Sequence, residues 1–248
     1  MVSGNELAST PCEHAPRVVD LPMELTDNLV GCGAYTISQA ARLLGVSVGL
    51  LRYWIGERQG AESVIYRQLS GQHLLTFAEL MELHFIKMFR DQDVSFQTIR
   101  KASEAAAAKY STRYPFTIKR FDTDGKTIFA TLQSKATDRE LIQDLQRGQL
   151  VFTEIIRPFF RKLDYNPSSE IGLYWPLRTS RNRSGRVVLD PQRHFGAPID
   201  NETGVPTDAL AKAVAAAGGQ DILEVAQWFG IPVEAVQAAV TFEKSLVS

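Results

Sequence analysis

From Tyr35 onward, apolar residues fall on a helical period. Thr36 is placed to cap a helix in which Ile37, Ala40, Ala41 and Leu44 occupy i, i+3, i+4 and i+7. Gly45 ends that helix and Ser47 caps a second, where Leu51, Trp54 and Ile55 share one face. A polar stretch over 57–72 follows, with a β-prone centre at Val64, Ile65 and Tyr66. Thr76 and Glu79 form a capping box that opens a helix carrying Phe77, Leu80, Met81, His84 and Met88 on one side. Ser95 caps a further helix to about Lys109, and Pro115 closes the unit.

Beyond Pro115 the pattern is mixed. Residues 116–121 and 127–132 read as a hairpin turning at Asp122-Thr-Asp-Gly125. Thr137 with Glu140 suggests another capping box, and 150–163 is strongly amphipathic through Phe152, Ile155, Ile156, Phe159, Phe160 and Leu163. Strands are predicted at 171–175 and 186–189, on either side of an arginine-rich loop. Three helices, at about 207–217, 222–229 and 233–246, complete the chain, separated by Gly218-Gly219 and by Gly230.

Composition narrows the class. Of the 248 residues, 44% are hydrophobic and 22% charged, and no apolar run reaches the ~18–20 residues of a membrane span. Acids precede any apolar stretch at the N-terminus, unlike a signal peptide, and two cysteines cannot staple a chain of this size. A cytoplasmic location is expected.

The near-neutral total hides an uneven layout. Residues 35–121 carry 12 basic and 7 acidic side chains, whereas 190–248 carry 3 and 8. A basic centre suits nucleic acid or an acidic partner, and the acidic end does not suit phosphate.

The sharpest motif is YTISQAARLLGVSVGLLRYWI, Tyr35 to Ile55. A short helix, a glycine turn and a Ser-capped second helix make a helix–turn–helix, whose second helix enters a major groove. With Leu51 and Ile55 facing the core, Ser47, Val48, Gly49, Arg52 and Tyr53 lie on or beside the outer face. The run Tyr-Thr-Ile, Ala-Arg, Gly-Val-Ser and Leu-Arg-Tyr resembles the MerR-type winged helix–turn–helix regulators. That resemblance implies phosphate contacts from Arg52 and Tyr53, a wing in which Tyr66 and Arg67 also grip the backbone, and Thr36 in the same DNA interface. The chain departs from the pattern at Trp54-Ile55 and at Ile65. Such regulators continue into one long dimerising helix, a path that Pro115 and the predicted hairpin interrupt.

A second resemblance covers the C-terminal part. Val187-Val-Leu-Asp-Pro191, Gly196-Ala-Pro-Ile199, Gly204-Val-Pro206 and the following helices resemble domain-of-unknown-function family 433. The helix–turn–helix look of Glu224–Glu234 invites a second DNA-binding reading, which the acidic charge disfavours; a dimerisation or partner-docking bundle fits better. Together the two resemblances point to antitoxins of the VapB type. They imply a protein that represses its own operator and neutralises a PIN-domain ribonuclease toxin, as a homodimer or in a hetero-oligomer with that toxin. An effector-responsive MerR-type regulator without a toxin is the alternative.

The expected fold is mainly α with small β elements. A flexible arm, 1–33, precedes a winged helix–turn–helix head, 34–115; a small α+β middle, 116–189, and a C-terminal three-helix bundle, 190–248, follow.

One loop offers a toxin contact. Pro176 to Val188 holds Arg178, Arg181, Arg183 and Arg186 with no acid, beside Tyr174 and Trp175. It reads either as a solvated loop or as an arginine device for the carboxylates of a nuclease site. The amphipathic stretch at 150–163 is the competing toxin-binding element. Enzymatic readings find no support: Gly31-Cys-Gly33 lacks a third glycine, Asp122-Thr-Asp-Gly125 lacks the other ligands of a calcium loop, and Cys12, His14 and Cys32 lack a fourth ligand. His73, His84 and His194 are isolated, His84 being a core residue, and no cofactor or metal is expected.

Overall fold

The computed structural model describes residues 31–246 apart from Ser70, Ser169, 179–184 and Gln220. The expected arm lies almost wholly outside the described residues, as do Cys12 and His14 of the three possible metal ligands.

The head begins with a two-residue strand, β1 (Tyr35–Thr36), paired antiparallel with β2 (Leu74–Leu75) in the register Tyr35 to Leu75. Between them lie α1 (Ile37–Leu44) and α2 (Val48–Trp54). Thr36 and Gln39 close a reciprocal capping box at the start of α1. Gly45 ends it in the left-handed region at φ 64°, where glycine incurs no Cβ penalty. Ile37, Ala40, Ala41 and Leu44 are buried, as their spacing requires. Thr76 caps α3 (Phe77–Arg90) with Glu79 returning the bond, and Ser95 caps α4 (Phe96–Tyr110).

The chain after Pro115 is helical where a hairpin was expected. A 3-10 turn at Pro115–Thr117 leads into α5 (Phe121–Lys135). Asp122 and Asp124 occupy its first turn, where carboxylates complement the positive end of the helix dipole. Phe121, Gly125, Ile128 and Phe129 are buried at i, i+4, i+7 and i+8. Gly125 is there for space: a Cβ would stand 2.2 Å from the Phe152 ring. The apparent Asp-Gly turn is thus a helix start whose glycine admits an aromatic side chain.

Helix α6 (Arg139–Val151) is capped by Asp138 rather than by Thr137, with the Asp138 carboxylate accepting the Leu141 N–H. The chain then continues through a π turn at Phe152–Ile156 and short turns to Lys162. The amphipathic stretch therefore exists, but most of its apolar side is used inside: Phe152, Ile156, Phe159, Phe160 and Leu163 are buried, whereas Ile155 is exposed. Phe121 meets Phe152 at 5.2 Å and Phe85 meets Phe160 at 5.3 Å between ring centres, so head and middle share one core. A groove-filling role for this stretch would require that core to open.

Four strands form the second sheet, β3 (Leu163–Tyr165), β4 (Ile171–Tyr174), β5 (Val187–Leu189) and β6 (Pro198–Asp200), in that order and all antiparallel. The sequence pattern indicated β4 and β5; β3 and β6 are additions to it. Because β5 pairs with β6, the sheet runs across the expected boundary at 189/190. Helices α7 (Thr207–Ala216), α8 (Ile222–Phe229) and α9 (Val233–Ser245), close to the three predicted stretches, pack around Leu210, Val214, Val225, Val236 and Ala239. Among the described residues no helix is long and apolar enough to cross a membrane.

Candidate nucleic-acid interface

The turn between α1 and α2 sets the outer surface of the head. The Ser47 side chain accepts the Leu50 N–H, which fixes the start of α2. Leu51, Trp54 and Ile55 then point inward, with the Trp54 ring edge-on to Phe96 at 6.0 Å. On the opposite side Ser47, Gly49, Arg52 and Tyr53 are exposed, and Val48 is half-buried. This leaves one guanidinium, one phenol and a glycine with no side chain on the face that a groove would meet. The Thr36 hydroxyl is exposed but serves the cap of α1, accepting the Gln39 N–H at 3.2 Å.

Among the described residues, the segment expected as a wing has no strand. Its backbone is held instead by single bonds, with Val64 N–H donating to Trp54 at 2.8 Å and Gln68 N–H to the Glu79 carboxylate at 2.6 Å. Arg67 turns inward. Its side chain is almost sealed, lies 3.4 Å from the Glu79 carboxylate, and donates to the Leu74 carbonyl at 2.8 Å. Glu79 itself is fully buried. A buried carboxylate needs a paired cation, and Arg67 is that cation.

Tyr66 takes a different course. It is exposed, its hydroxyl accepts from Arg113 at 2.7 Å, and the Arg113 guanidinium stands 4.4 Å over its ring. Sequence spacing could not reveal this pairing, because the two residues are 47 apart and meet only where α4 ends beside the loop.

The C-terminal bundle docks against the head at α1 and leaves α2 open. The Tyr35 hydroxyl donates to the Gly196 carbonyl at 2.7 Å. Arg42, near the end of α1, pairs with Glu243 of α9, whose other oxygen takes the Thr207 hydroxyl.

The residues expected to face a toxin lie elsewhere. Tyr174 packs against Phe159 at 5.5 Å, and burial pushes its hydroxyl well above the ordinary range. Trp175 is buried and donates its indole N–H to Asp164 at 2.7 Å. Arg178 forks onto the same carboxylate at 2.7 and 2.9 Å and covers the Trp175 ring at 4.6 Å. The Arg178 guanidinium, with help from the indole, holds Asp164 below the usual carboxylate range. Arg186 forks onto Asp200 at 2.7 and 3.2 Å and reaches Glu202 at 2.9 Å. Burial alone would raise the Asp200 carboxyl; the Arg186 fork and the Thr203 hydrogen bonds outweigh it and hold it low. Trp175 and Arg178 thus tie the end of β4 to β3, and Arg186, beside β5, ties it to β6, a use for arginine that an acid-free stretch of sequence conceals. Arg181 and Arg183 lie outside the described residues. No group of three or more His, Cys, Asp or Glu that could hold a metal occurs among the described residues.

Comparison with known proteins agrees with this geometry. Residues 35–106 match the family described as MerR HTH family regulatory protein. A Mycobacterium tuberculosis protein named "Putative antitoxin VapB45" is 26% identical over 192 residues, which cover 69% of this chain and 78% of that protein. The crystal structure of Rv2018 from Mycobacterium tuberculosis superposes with a TM-score of 0.65 at 19% identity, covering 83% of this chain and 96% of that one, and shows the same fold. The head of this chain is a MerR-type helix–turn–helix region, carried on a body distantly related to that mycobacterial protein.

Proposed function

We propose that this protein is a DNA-binding antitoxin that represses its own operator and neutralises a PIN-domain ribonuclease by direct contact. One observation carries the DNA half: the bundle packs on α1, yet Ser47, Gly49, Arg52 and Tyr53 of the next helix stay uncovered. Arg52 and Tyr53 contact phosphate from α2, while Val48 and Gly49 approach the base edges. Tyr66 and Arg113 supply the second phosphate contact, in place of Tyr66 and Arg67. The likeness to a protein named as an antitoxin supports the toxin half.

Within the arginine loop, the toxin-directed role narrows to Arg181 and Arg183, since Arg178 and Arg186 are held by Asp164 and Asp200. A dimer places two heads on half-sites ~34–36 Å apart. Its contact belongs on the bundle, where α8 exposes Leu223 and Trp228 by 59% and 60%.

The test is fluorescence anisotropy on duplex DNA from the protein's own upstream region. Arg52→Ala weakens every duplex alike, lowers the slope of log affinity against log salt by about 1, and leaves folding unchanged. An unaltered slope makes the motif structural only. Co-expression with the neighbouring gene tests the toxin half, and a complex lacking a nuclease activity that the antitoxin silences removes it.

A further inference from the structure

A cleft of about 250 Å³ lies where the helix–turn–helix, the second sheet and the last helix meet. Its apolar walls come from Leu80 and Met81 of α3, Leu189 of β5 and Phe242 of α9. The polar side chains of His84, Tyr174, Arg42 and Ser245 also line it. Neither the His84 imidazole nor the Tyr174 hydroxyl has a hydrogen-bond partner among the described residues, and both side chains are half-buried, with their polar atoms open to the cleft. Both groups are therefore free to bond whatever fills the cleft, and a ligand's polar group can take the place of water there.

His84 and Tyr174 are also held in place. The His84 ring stacks on Phe159 at 4.7 Å and meets Tyr174 at 5.5 Å. Burial, with the ammonium groups of Lys87 and Lys162 nearby, lowers the imidazole to about 4, so it is neutral at pH 7. It then presents one N–H or one bare nitrogen to the cleft, and the phenol presents an O–H. Of the charged groups at the cleft, Arg42 is already paired with Glu243. An ionised ligand would lose its hydration and, among the described residues, find near His84 only Lys162 without a carboxylate partner, whose ammonium already donates to the Pro176 carbonyl at 2.9 Å.

We propose that this cleft is a binding site for a small, flat, uncharged aromatic molecule carrying one or two hydrogen-bonding groups, recognised by His84 and Tyr174 between the apolar walls. The size fits: a dry cavity of roughly 150 Å³ already takes up benzene, and the larger volume here suits a bicyclic ring. The position matters as much as the chemistry. Gly45 of the helix–turn–helix and Leu246 beyond α9 line the same cleft, so an occupant touches both the DNA-binding unit and the bundle. The site is independent of the antitoxin reading and goes beyond it.

Calorimetric titration of the full chain with indole tests the proposal. One saturable site is expected. Ser245→Phe, which fills the cleft from an exposed position on α9, and the double variant His84→Phe with Tyr174→Phe, which keeps every ring and removes the polar atoms, each weaken binding at least tenfold. Hydrogen exchange in the presence of indole shows added protection in peptides covering 42–46 and 242–246. A wild-type chain that takes up no indole, or either variant binding with wild-type affinity, overturns the site, and neither result bears on DNA or toxin binding.

Discussion

Glu82 offers a prediction that is independent of any partner. It lies on α3 with its side chain all but sealed from solvent, accepting the Phe116 N–H at 3.2 Å. Burial raises its carboxyl from 4.5 to about 8, a rise that the backbone N–H groups of Phe116 and Thr117 only partly offset. Between those two values the folded chain holds a proton that the unfolded chain has released. Stability therefore falls as pH rises through the window.

His84 works in the opposite sense, since its imidazole is lowered from 6.5 to about 4 and its contribution to stability grows with pH only up to 6.5. From pH 6.5 to 8 the Glu82 effect stands without that opposition. At ~1.4 kcal/mol per pH unit, it amounts to about 2 kcal/mol. Glu82→Gln keeps an oxygen for Phe116 and removes the titrating proton. Urea unfolding at pH 6.5, 7.25 and 8 should show the wild type losing about 2 kcal/mol more than the variant, which becomes the more stable protein at pH 8. Parallel stability curves, or a variant that is less stable at pH 8, would refute the reasoning.

Further predictions address the places where structure and sequence part. Arg67→Ala strands the buried Glu79 carboxylate and should cost ~3–5 kcal/mol in urea unfolding; full stability with weakened DNA binding would restore Arg67 to the DNA surface. Gly125→Ala forces a methyl into the Phe152 ring and should cost ~1–3 kcal/mol, whereas a hairpin turn at that position would leave thermal unfolding almost unmoved. Arg186→Ala leaves Asp200 buried without its fork and should cost roughly 3 kcal/mol; an unchanged unfolding midpoint would free that arginine for a partner.

Local signals in the chain determined much of the head and the bundle. Caps at Thr36, Ser47, Thr76 and Ser95, and glycine stops at Gly45 and Gly230, mark helix ends because they satisfy orphan backbone groups within a few residues. The helical period of Ile37, Ala40, Ala41 and Leu44 likewise fixes which side of α1 faces inward, and that of Leu51, Trp54 and Ile55 leaves the outer residues of α2 legible in the chain itself. Other local signals misled, the clearest of them a turn motif. Asp122-Thr-Asp-Gly125 looks like a turn, and only the Phe152 ring against Gly125 shows why a glycine sits in a helix.

Tertiary structure alone decided the fate of the charges. Arg67, Arg178 and Arg186 read in sequence as free cations, since their carboxylates lie 12, 14 and 14 residues away. Tyr66 with Arg113, and Arg42 with Glu243, are farther apart still. Whether a guanidinium meets phosphate or a buried acid depends on which strand or helix the fold brings beside it. A sequence displays the charge; only packing, which makes an unpaired buried carboxylate costly, assigns its partner.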